Sequence, residues 1–129
     1  MSKPRIHALS SARQFGGVPE DYIAIHEKMD QTKMVHADVT HRCVFHSAFG
    51  AYLIQDIFGM SIVNSDGHEV CVRDIAEQHI AEDLGFIPSL TDWLHEMTLQ
   101  PWMLGAERKR GHDTHAKGKC PTNESKKNS

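Results

Sequence analysis

No stretch of the chain approaches the roughly 18 consecutive apolar residues that a membrane-spanning helix needs, so the sequence predicts none. The opening residues, MSKPRIHALSSARQFGG, lack the apolar core of roughly 7–15 residues that marks a secretory leader. Cysteine is scarce: Cys43, Cys71 and Cys120 are odd in number, far apart and never in CxxC form. That pattern excludes a disulfide framework and a thiolate zinc site, and it fits a reducing cytoplasm, the expected location. Basic residues are short where nucleic acid would need them. Residues 1–104 carry 7 Lys/Arg against 14 Asp/Glu, a net of −7, whereas residues 105–129 carry 7 against 3, a net of +4. An acidic body argues against nucleic-acid binding, except for weak contact through the basic tail. The tail has no aromatic residue and almost no aliphatic ones, so it is expected to be disordered.

Established chemical signatures are also missing. There is no HExxH, no HxE with PCxxC and no GxxxxGK[ST] loop. The lone His-Asp dipeptide, His112-Asp113, lies in the tail, away from any core. What the chain has instead is histidine, ten in 129 residues, and neutral imidazole is the commonest metal ligand.

The 40% hydrophobic composition supports one core, expected as a single domain over residues 1–104. A short helix is predicted over residues 6–15, stopped by Gly16-Gly17, and a second through EDYIAIHEKM, opened by Pro19. The stretch from Met34 to Phe58 has no proline and a single glycine, and it predicts a long central helix of about 37 Å. Next, SIVNSDGHEVCV predicts a β-hairpin near 61–72 around Asp66-Gly67. Residues 74–84 predict a helix with Ala76, Ile80 and Leu84 on its apolar side. Ser89 and Asp92 form a capping-box pattern before LTDWLHEM, with Leu90, Trp93, Leu94 and Met97 as core candidates. The expected fold is mainly α: four to five helices around the long central one, with one hairpin.

Ionisable groups recur on these predicted helices where amphipathic patterning would place apolar ones. His26 and Asp30 stand at i and i+4; Asp30 could alternatively cap the next helix. His41 and His46, five residues apart, would lie about 140° round a helix axis, so one ion would not take both. His46 is the expected ligand, because His41 has Asp38 beside it and reads as a group that supports the ligands from behind or as a general acid/base. Glu77 and His79 come from a third helix, with Glu82 or Asp83 able to orient the His79 ring. Imidazole nitrogens and carboxylate oxygens on facing helices are the material of zinc, iron, manganese and nickel sites. The predicted set is therefore His26, His46, His79 and Asp30 for a divalent ion, zinc first, with His41 and Glu77 in catalytic roles. Arg42 and Arg73 are expected to pair with Asp38 and Asp74, or with other carboxylates nearby, and His36, His68 and His95 to lie on the surface.

The segments GGVPEDYIAIHEKMDQTK, HADVTHRCVFHSAFG, IVNSDGHEVCVR and IAEQHIAEDLGFIPSLTDWL resemble a family of small uncharacterised bacterial and phage proteins. It is a domain-of-unknown-function family, and the likeness runs over roughly residues 5–103. The resemblance implies that His7, His26, Asp30, His41-Arg42, His46 and Glu77-Gln78-His79 are motif residues. Cys71 stands where a proline is expected and Thr40 where a basic residue is frequent. No activity carries over from the family. Two readings remain from the sequence: a small metal-binding protein supporting metal-dependent hydrolysis, and a non-catalytic interaction module with structural histidines. In the second, the hairpin edge would pair with a protein partner or a second copy of the chain.

Overall fold

The computed structural model describes residues 3–106, so nearly all of the basic tail, with His112, His115 and Cys120, lies outside the described residues. The chain falls into two compact units, Met1–Glu96 and Met97–Ser129. In the second, the described residues form one short 3-10 turn, Pro101–Leu104.

The first unit is mainly α, with five α-helices and one hairpin among the described residues, in the class that the sequence predicts. Helix α1 (Pro4–Phe15) begins with proline at its first position, where a missing amide hydrogen costs nothing. A 3-10 turn at Pro19–Asp21 leads into α2 (Ile23–Met29). Strands β1 (Ser61–Val63) and β2 (Glu69–Cys71) pair antiparallel with Ile62 opposite Val70. The turn between them is held by Asn64, whose side-chain oxygen accepts the amide hydrogens of Asp66 and His68 at 2.9 and 3.0 Å. Helix α4 (Val72–Leu84) follows directly and ends at Gly85, which takes the left-handed conformation at φ 84°. The predicted capping box opens α5 (Leu90–Leu94): Ser89 Oγ accepts from Asp92 N at 3.0 Å, and Asp92 Oδ2 from Ser89 N at 2.9 Å.

The long central helix does not form. Residues 31–58 break into 3-10 turns at Gln31–Met34 and Val39–Cys43, and only Ala48–Phe58 makes an α-helix, α3. The cause is local. Asp38 and Ser47 both adopt extended backbone, and each side chain caps the helical turn after it, accepting from Thr40 N at 3.1 Å and Gly50 N at 2.9 Å respectively. β-Branched Val35, Val39, Thr40 and Val44 lower helix propensity in between. Gly50 lets residue 45 fold back over the first turn of α3, since a Cβ at position 50 would sit 2.1 Å from the Phe45 carbonyl oxygen.

Helix α4 packs against α1, α2 and α3. Its Val72, Ile75, Ala76 and Ile80 join Ala8, Tyr22, Ile25, Met29, Ala51 and Ile54 in the apolar core. Each buried aliphatic side chain of that size contributes about 1.5–3 kcal/mol. Leu94 and Met97, expected in the core, are about half exposed, because α5 is only five residues long.

Candidate metal centre

A second buried layer lies beside the apolar one and is polar. His7, His26, His46 and His79 are all fully buried, and His41 nearly so. Two pairs at i, i+4 spacing contribute to it: His26 with Asp30 at the end of α2, and His79 with Asp83 on α4. Asp83 Oδ2 lies 2.9 Å from His46 Nε2 and 3.2 Å from His79 Nε2. Asp30 Oδ1 lies 3.3 Å from His79 Nε2 and 3.6 Å from His46 Nε2. All four ligand atoms fall within 4.8 Å of one another. Tetrahedral coordination at about 2.0–2.1 Å places ligand atoms about 3.3 Å apart, and the four measured edges bracket that value. Asp30 makes no capping bond with its side chain, so here its carboxylate faces the histidines and not the next turn.

His46 reaches the centre from non-helical backbone that neighbouring elements pin in place. Trp93 Nε1 donates to the His46 carbonyl at 2.8 Å, and Ala48 N donates to Pro88 O at 2.8 Å. The carboxylate of Asp83 is divided between two tasks. While Oδ2 faces the ligand nitrogens, Oδ1 meets His7 Nε2 at 3.3 Å and an Arg42 guanidinium nitrogen at 3.6 Å. Arg42 thus brings a positive charge to the outer oxygen of Asp83.

Hydrogen-bond directions can be followed inward from Gln78. Its amide nitrogen donates to the His7 carbonyl at 3.1 Å, which turns Oε1 towards Ser11. The Ser11 hydroxyl donates to that oxygen at 2.6 Å, so Ser11 Oγ accepts from His26 Nε2 at 2.7 Å. His26 Nδ1 is left as an acceptor for His79 Nδ1 at 2.9 Å. The proton of a neutral His79 therefore resides on Nδ1, and its Nε2 lone pair points at the ligand group. This is how an outer hydrogen bond orients a metal-binding imidazole.

Burial and pairing set the ionisation states. Burial pushes His26 down to about 2, helped by the neighbouring His79 and His7, which keeps it neutral for its acceptor role. Burial also lowers His46 and His41. For His79, burial pulls down but hydrogen bonds to Asp30 and Asp83 win, and its pKa rises. Burial would raise Asp83, yet hydrogen bonds from His46, His7 and His79 hold it far below the usual carboxylate range.

The predicted residues divide accordingly. The structure brings together His46, His79 and Asp30. It places His26 behind His79, its ring centroid 5.1 Å away and its nitrogens engaged by Ser11 and His79. His41 bonds Thr32 Oγ1 at 2.8 Å, with its ring 6.1 Å from that of His46, and Asp38 caps Thr40 instead of pairing with it. Glu77 does not reach the group: it pairs with Arg73 one turn away at 3.0 Å, on a partly exposed side of α4. Arg42 and Arg73 therefore each pair with a carboxylate, but with the other nearby ones, Asp83 and Glu77, in place of Asp38 and Asp74. His36, His68 and His95 are exposed, as expected. As a ligand, Asp83 escaped the sequence reading, although HIAED repeats the His-x-x-x-Asp spacing of HEKMD. His7 was legible only through the resemblance; it stacks on His79 at 3.8 Å and meets Glu82 Oε1 at 2.8 Å.

A family model described as a domain of unknown function, DUF6915, matches residues 2–103, and the chain belongs to that family. Neither the comparison with curated proteins nor that with solved structures finds a match.

Proposed function

We propose that this DUF6915 protein holds one divalent metal ion, zinc first among the candidates, on Asp30, His46, His79 and Asp83. The convergence of four ligand atoms within 4.8 Å, from α2, α4 and the 44–47 segment, carries the reading. Iron, manganese and nickel suit the same nitrogen and oxygen donors. Such an ion would lower the pKa of a bound water towards about 7, the chemistry of a metal-dependent hydrolase. That water would need a coordination position beyond the four protein ligands. Asp30 is the corner where it would enter, its side chain 9% exposed against 0–2% for the other three.

The test is calorimetric zinc titration of metal-stripped, folded full-length protein carrying His112→Ala and His115→Ala, which removes adventitious tail ligands. One ion per chain, lost in His79→Ala and Asp83→Asn, is the expected result. A folded protein that takes up no divalent ion overturns the reading.

One observation favours the alternative, a non-catalytic interaction module: both ring nitrogens of His26 are satisfied by protein partners alone. In that reading the layer is a structural ion-pair network, the protein binds a partner or itself, and elemental analysis finds no stoichiometric metal.

A further inference from the structure

The four ligand side chains are unequally sealed, and the one that reaches solvent, Asp30, also lines a cleft of about 450 Å³. That volume lies in the range that holds small molecules. Around Asp30 the cleft is lined by Lys3, Lys33 and Glu27, with Pro4, Gln31 and Met34 completing it. The two lysines stand out because the body is acidic, with only seven Lys/Arg in residues 1–104. Three of the seven form ion pairs elsewhere: Arg5 with Glu20, Arg73 with Glu77 and Arg42 with Asp83. Lys28 donates to the lining residue Gln31 at 2.8 Å. Among the described residues, Lys3 and Lys33 make no ion pair, and both are exposed on this one cleft. The charge of Asp30 is taken up by the histidines, or by an ion held with them. The cleft is then left with two ammonium groups against the single carboxylate of Glu27.

We propose that this cleft binds a small oxyanion, a phosphoryl or carboxylate group held by Lys3 and Lys33 next to the Asp30 corner of the metal centre. The assignment rests on the metal reading and names its ligand class. Lysine meets such a group as a mobile point charge, so the cleft selects charge more than shape. An apolar remainder of the ligand would lie along Pro4 and Met34.

The test uses the full-length chain loaded with zinc, its zinc content measured before each titration, and two probes, phenylphosphonate and benzoate. Wild type is expected to bind at least one of them; preference for phenylphosphonate assigns phosphoryl ligands and the reverse assigns carboxylates. The double variant Lys3→Ala/Lys33→Ala should weaken binding about tenfold at low salt with zinc content unchanged, as expected for two partly exposed ion pairs. Glu27→Gln should tighten it. Arg13→Ala removes one positive charge from an exposed residue outside the cleft lining and should change nothing. Zinc-loaded wild type that binds neither probe, a double variant that binds like wild type, or an equal loss in Arg13→Ala overturns the assignment and leaves the metal centre standing. A folded chain that retains no zinc removes the metal centre, and this assignment with it.

Discussion

Helix α4 buries two sides made of different material. Val72, Ile75, Ala76 and Ile80 enter the apolar core, where contact is non-directional and close packing is what counts. Gln78, His79 and Asp83 enter the polar layer, where each atom needs a partner at a particular distance and with a particular proton. One helix thus anchors a fold by area on one side and by hydrogen-bond accounting on the other. Substitution, pH and metal separate the two sides.

The largest effect is expected on the polar side. Asp83→Ala leaves His7, His46, His79 and Arg42 around a missing carboxylate, and breaking a buried charge pair costs about 3–5 kcal/mol. Chemical denaturation should show that loss, and zinc binding should vanish with it. On the apolar side, Ile75→Ala should cost about 2–4 kcal/mol through the cavity left behind, with zinc binding retained. Equal loss of zinc in both variants would erase the distinction.

Acid should single out the polar side. The folded pKa values of His26 and His46 lie below their ordinary value of 6.5, so the unfolded chain binds more protons there. Their stabilisation is complete above about pH 6.5 and is lost as pH falls, by up to about 1.4 kcal/mol per pH unit for each group. For His26 that window extends down to about 2. His79, raised, has the opposite sign: its contribution is present below about pH 6.5 and is lost as pH climbs through its folded value. Denaturation midpoints of the metal-free protein between pH 4 and 6.5 should therefore fall with acid. Ile75→Ala should shift that curve without changing its shape.

Smaller effects test the proton directions. Ser11→Ala removes the group that fixes the His26 tautomer and should weaken zinc binding about 10–100-fold, with Ser11→Thr restoring it. The smallest belongs to Glu77→Gln, which breaks a partly exposed pair with Arg73 and should change stability by less than about 0.5 kcal/mol. A large loss of zinc there would return Glu77 to the centre.

The same contrast explains what the sequence makes legible. The hairpin, the end of α1, the apolar side of α4 and the α5 capping box come from short-range signals: Asp66-Gly67, Gly16-Gly17, the spacing of Ala76 and Ile80, and Ser89 with Asp92. The segment 34–58 misleads because its periodicity is helical while Asp38 and Ser47, read as interior residues, act as caps. Once that helix breaks, the 140° between His41 and His46 no longer applies. His46 can turn to Asp83 while His41 turns to Thr32. The His-x-x-x-Asp spacing marks Asp30 and would mark Asp83 equally. Which histidine takes its proton from which neighbour is tertiary information. It depends on Ser11 and Gln78, 67 positions apart in the chain.

The bond from Trp93 to the His46 carbonyl has a practical consequence. A half-buried indole is fastened to the backbone of a candidate ligand, so a small displacement of that imidazole alters the surroundings of a natural fluorophore. Occupancy of the centre can then be followed as a change in emission, without a label, during a titration or a rapid-mixing run. The chain carries its own optical gauge.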